Sequence, residues 1–273
     1  MGEGSITLTL FNVLLTCSAG LMAAAALAER ANLPVRVLAA AAAAALVCLA
    51  AGGAAALANL GRPALIFGVL SNPGTPIFEQ FVALMAFAAA ILVYLVLLYR
   101  GAENAVTFRT ACVASLLGLV LVVILGKSLV MPWRAAWNTY TIILGPAAWM
   151  ALMAASCYAL MAWRSEDDPH PVRIAVCAVA ALAAAAVYLA ALAVSGSPEA
   201  LGAVNRALSG DAAGLLWLGI VVCGALVPLA AAFFAHRAPA AGGIIALAGA
   251  LVGCGAGHLL VTALGSRTWE FFG

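Results

Sequence analysis

In 273 residues this chain carries 67% hydrophobic and 8% charged side chains, with a net charge of +2 and a mean hydropathy of +1.16. A soluble domain is about 25% charged, so these values exclude one and require a protein embedded in a bilayer. The twelve basic residues form no patch, which leaves no surface for nucleic acid.

A hydrocarbon core of ~30 Å takes about 20 apolar helical residues. Eight segments supply them, roughly 6–28, 37–60, 79–99, 110–131, 140–163, 174–195, 212–235 and 239–264. Alternating ten-residue strand patterns are absent, and backbone polar groups in lipid must be satisfied within the chain, so helices are expected rather than a barrel. The expected fold is all-α: one polytopic bundle of eight transmembrane helices, a single domain over 1–273. The first segment is too long for a signal peptide and lacks a basic flank and cleavage site, so it is expected to stay in the mature chain. The alanine run at 39–59 is expected to let helices approach closely.

Between the second and third spans the chain reads LGRPALIFGVLSNPGTPIFEQF, residues 60–81. Gly61 and Pro63 break the second helix after Asn59, Arg62 follows, and Glu79 falls near the start of the third. A carboxylate drawn into the membrane edge costs up to ~3 kcal/mol unless it is paired, protonated or hydrated. That makes Glu79 a candidate proton acceptor. The alternative is an interfacial acid that stabilises the positive end of the third helix. After the fourth span, GKSLVMPWRAAWNTY (126–140) brings Lys127, Trp133, Arg134, Trp137 and Asn138 together around the helix-breaking Pro132. Snorkelling cations beside an aromatic belt are the plainer reading. Two such loops on one face, supplying a carboxylate, cations, amides and aromatics, point to a site for a small amphipathic ligand.

Arg and Lys divide seven to five between the two sides, which places both termini and both of these loops outside the cytoplasm by the positive-inside rule. A haem held by two histidines is not expected. His170 and His236 lie in or beside loops, and only His258 lies inside a span. The seven cysteines are dispersed singly with no CxxC motif, so neither an iron–sulfur cluster nor a zinc site is expected, nor disulfides. They read as small hydrophobes.

Four stretches carry a resemblance. TCSAG (16–20) is similar to Q-C-x-A-G, NLGRP (59–63) to H-L-G-x-P, and KSLVMPWRAAWNT (127–139) to R-x-Y-x-x-P-x-R-P-x-W-N-T. Glu79 matches an acid at the start of the third helix. In that order and spacing the chain resembles the membrane-anchor subunit of the dimethyl sulfoxide reductase family, and more distantly the anchors of polysulfide-reductase-like complexes.

The resemblance implies a bacterial cytoplasmic-membrane protein of anaerobic respiration. It implies a quinol site near the extracytoplasmic face, menaquinol by family analogy, in a chain with no haem, iron–sulfur cluster or metal of its own. The implied partners are a ferredoxin-like iron–sulfur subunit and a catalytic subunit with a molybdenum or tungsten bis-pterin cofactor. The expected quinol site lies between the second, third and fourth spans, under the 127–139 loop. Glu79 accepts a proton, Asn59 and Arg62 orient a quinol oxygen, and Lys127 or Arg134 stabilises negative charge. Trp133 and Trp137 pack the ring or exclude water, and Asn138 adds an amide.

Departures from the pattern are specific. Asn59 stands where the family has histidine and cannot take a proton at physiological pH. Lys127 replaces an arginine and Leu129 a tyrosine. GALVGCG (249–255) lacks both charges of G-E-x-x-G-R. One turn further on, His258 either restores some proton handling or is a satisfied intramembrane histidine. Two other readings stand beside the quinol-oxidising anchor. One is a purely structural anchor with a decayed quinol site. The other is a transporter, against which the charges gathered at span ends argue.

Overall fold

The computed structural model describes residues 3–59, 68, 72–163, 171–235 and 237–266. Among them the chain is helical without a strand, and eight helices are long and apolar enough to cross a membrane. The first six spans are α1 (Glu3–Arg30), α2 (Val35–Asn59), α3 (Pro76–Tyr99), α4 (Asn104–Ser128), α5 (Leu144–Ala162) and α6 (Pro171–Ser195). The seventh opens as a π-helical run, Leu215–Leu226, and continues as α8 (Val227–Ala235). The eighth is α9 (Pro239–Ser266). Parity puts the start of α1 and the end of α9 on one face of the bundle, called here the termini face.

Local chemistry sets the helix ends. Thr75 caps α3 by accepting from the Phe78 amide, and Pro76, which has no N–H to lose, takes the first position. The helix therefore starts three residues before the apolar run at 79, and Glu79 lies in its first turn. Helix α4 likewise begins at Asn104 rather than 110, because Thr107 and Arg109 are accommodated within helix near the membrane boundary. One helix was not anticipated. The linker after α6 forms α7 (Pro198–Leu208), capped by Ser197, which tucks Ala200, Ala203 and Ala207 inward. Too short to span and only weakly apolar, it lies on the termini face.

The spans pack in two groups. Helices α1–α4 enclose Leu15, Met22, Phe87, Ile91, Tyr94 and Leu121. Helices α5, α6, α8 and α9 enclose Trp149, Leu152, Met153, Tyr188 and Leu260. The join is α1 against α5, where a Cβ on Gly20 would stand 2.9 Å from that of Met153. Only a glycine lets the backbones come so close. These two central spans are 61% and 67% buried within the bundle, whereas α3 is only 22% buried and packs at its edge.

Small residues act as expected between α1 and α2. Ala41, Ala42 and Ala45 are buried there, and Ser18 Oγ donates to the Ala45 carbonyl at 2.7 Å. All seven cysteine thiols are free.

Candidate functional site on the termini face

Glu79 and Lys127 meet. The Lys127 ammonium lies 2.8 Å from Oε2 and 3.1 Å from Oε1 of Glu79, joining the first turn of α3 to the last turn of α4. Each charge sits at the helix end whose dipole favours it. The pair is half open, with the side chains 41% and 55% exposed for Glu79 and Lys127.

Unlike Glu79 and Lys127, the next two residues of α3, Gln80 and Phe81, line an apolar groove of about 470 Å³, together with Phe11 of α1 and Gly53, Ala54 and Leu57 of α2. This lies within the range of small-ligand sites, about 300–1,000 Å³. The groove arises because the Ala- and Gly-rich end of α2 packs tightly on α1 but leaves its α3 side unfilled. Nothing lies within 4 Å of a Cβ built on Gly53. The alanine run therefore produces close approach on one side and a groove on the other, where close packing alone was expected.

The second loop goes elsewhere. Arg134 donates to the Gly265 carbonyl at 2.5 Å and lies over the Trp137 ring, 4.4 Å from its centroid. Trp137 donates in turn to the Val261 carbonyl at 2.7 Å. Tyr188 of α6 holds the Ala136 carbonyl at 2.9 Å. A Cβ on Gly265 would stand within 2.1 Å of the indole, so the ring docks only against glycine. Beyond the end of α4 the loop is thus fastened to α6 and α9. Gly265 is in the last turn of α9, whose carbonyls lack intrahelical donors, and the guanidinium supplies one.

The remaining predicted residues divide. Trp133 is 75% exposed at the loop tip, and Asn138 is exposed beside it. His258 is buried on α9, its Nε2 without a hydrogen-bond partner, against a cavity of about 50 Å³. Thr141, Trp149 and Tyr188 line the same cavity. A quinol ring does not fit there, whereas one or two waters do, and Glu79 is not among its lining residues. Asn59 is the last residue of α2, and its side chain, like all of Arg62, lies outside the described residues.

Sequence reasoning passed over Glu29. On the face opposite the termini, its carboxylate accepts from Tyr94 Oη and from Thr107 Oγ1, each at 2.5 Å. An acid in the last turn of an apolar span was the available signal. Its two hydroxyl donors come from helices 65 and 78 residues away, which no local pattern reveals. Compared with the models of known protein families the chain matches none, and no curated protein matches it.

Proposed function

We propose that this chain is the membrane anchor of a molybdenum- or tungsten-pterin oxidoreductase complex in a bacterial cytoplasmic membrane, oxidising quinol at its extracytoplasmic face. The observation that carries the reading is the Glu79–Lys127 pair, whose acid lies in the first turn of α3 and is followed in the chain by Gln80 and Phe81, which line an apolar groove of about 470 Å³. The resemblance of residues 16–20, 59–63, 79 and 127–139 to the dimethyl sulfoxide reductase anchors supports it.

A quinol, menaquinol by the same analogy, enters from lipid with its isoprenoid tail along Phe11, Leu57 and Phe81. Its ring turns toward Glu79, and Asn59 and Arg62 supply polar contacts to one oxygen. Oxidation to quinone releases two protons and two electrons. Glu79 accepts one proton while Lys127 holds the carboxylate in place, and the second proton leaves to water at the open face. The electrons leave for the ferredoxin-like iron–sulfur subunit and then the pterin-bearing catalytic subunit. Arg134 and Trp137 fix the loop, so their part is to hold Lys127's end of α4 rather than to touch quinol.

Glu79→Gln in the intact complex tests this reading. Loss of a general base costs at least about 100-fold, so quinol-dependent turnover falls by that factor while turnover with an artificial donor to the catalytic subunit persists. Unchanged quinol-dependent turnover removes Glu79 from the mechanism.

A structural anchor is the second reading, and the engagement of Arg134 and Trp137 with α9 favours it. The quinone content of the purified complex separates the two: one quinone retained per complex contradicts a purely structural role. A mild-detergent pull-down from native membranes with metal analysis tests the complex itself. Stoichiometric iron–sulfur and molybdenum or tungsten partners support the anchor class, and a chain that purifies alone without metals refutes it.

A further inference from the structure

A larger groove lies on the lipid-facing flank, toward the face opposite the termini, and owes nothing to the quinol reading. Its floor is α1 and α5, where Ala23, Ala26 and Ala151 leave a depression, and its walls are α4 and α6. The volume is about 710 Å³. Along α4 it runs from Phe108 to Leu119, eleven residues or about 16 Å at 1.5 Å per residue. That is about half of a ~30 Å hydrocarbon core, the depth of one leaflet.

Two cations stand at the aqueous end of this trough. Arg30 is the last residue of α1, and Arg173 lies in the first turn of α6 with its guanidinium 5.3 Å from the centroid of the Tyr158 ring. Among the described residues neither has a carboxylate partner. Glu29, next to Arg30 in the chain, is engaged by Tyr94 and Thr107 instead. The acidic residues 166–168 lie outside the described residues. Unpaired guanidiniums match phosphate oxygens in planar, forked geometry, and basic pockets between transmembrane helices suit anionic headgroups.

We propose that this groove is a binding site for an anionic phospholipid, with one acyl chain along Ala26 and Ala151 between α4 and α6 and the phosphate held by Arg30 and Arg173. The alanines make room for the chain, and the arginines select the charge. A free anion would use only the arginines. A second copy of the protein would use only the apolar trough.

The test is native mass spectrometry of the delipidated, detergent-purified full-length chain, titrated with phosphatidylglycerol or phosphatidylcholine of identical acyl chains. Phosphatidylglycerol should bind at least tenfold more tightly. Arg30→Gln with Arg173→Gln should abolish that preference, and Arg30→Lys with Arg173→Lys should keep part of it, which covers a failure of the first pair to fold. Ala151→Trp fills the trough with both arginines in place and should weaken both lipids. Equal binding of the two lipids by the unmodified chain overturns the proposal, as does an unchanged preference in the glutamine pair. Complete displacement of phosphatidylglycerol by excess inorganic phosphate would reduce the site to an anion site and also overturn it. So would a dimer of the unmodified chain that Ala151→Trp dissociates.

Discussion

The two clusters around a cation on the termini face behave oppositely. Glu79 and Lys127 pair in the open, each 40% exposed or more. Arg134 and Trp137 are spent on the backbone of α9, with a glycine at position 265 shaped to receive the indole. Both hold a cation at a span end, but the first leaves its polar atoms half exposed whereas the second bonds its donors to α9. A cation near a membrane boundary therefore signals function only when its donors are not consumed by the chain's own helix ends.

Substitutions break this comparison in order of size. Trp137→Ala removes an indole docked on α9 and frees the loop. Truncating a packed Trp costs about 3 kcal/mol, so the unfolding midpoint should drop by several degrees in a thermal scan in detergent. An unchanged midpoint would mean that the loop is not fastened to α9. Glu79→Gln should do the reverse, leaving the midpoint nearly in place and slowing quinol-dependent turnover about 100-fold, or ~2.7 kcal/mol of barrier. A large stability loss without a kinetic one would make the pair a structural clasp like its neighbour.

Tyr94→Phe probes a third cluster, at the opposite face. It strips one of two hydroxyl donors from Glu29 and should cost about 1 kcal/mol, with no change in quinol-dependent turnover. The smallest effect belongs to the ion pair itself. A double-mutant cycle of Glu79→Gln and Lys127→Met should give a coupling of about 0.5 kcal/mol in stability, as exposed pairs do. A coupling several times larger would mean that the pair is less solvated than its exposure indicates.

Much of the architecture was readable before any coordinates. Spans of 20-odd apolar residues follow from bilayer thickness and from the need to satisfy every backbone amide within the segment, and both are local properties. The miscounted ends, at Pro76 and Asn104, come from polar or capping residues that continue a helix past its apolar stretch. Helix α7 escaped because an eleven-residue amphipathic helix leaves no hydropathy signal of its own. The adjacency of Glu79 and Lys127 was legible only as a shared face, from loop parity.

By itself, then, the sequence determined eight membrane spans, an all-helical bundle, and which polar residues stand at span ends, since lipid tolerates few alternatives. Tertiary structure alone decided which of those residues remain available. Arg134 turned to α9 because the last-turn carbonyl of Gly265 takes its donor, and His258 was enclosed because α5, α6 and α9 close around it. The two grooves formed where alanines packed tightly on one neighbour and left the other side empty. Such outcomes depend on contacts between residues far apart in the chain, and no local pattern encodes them.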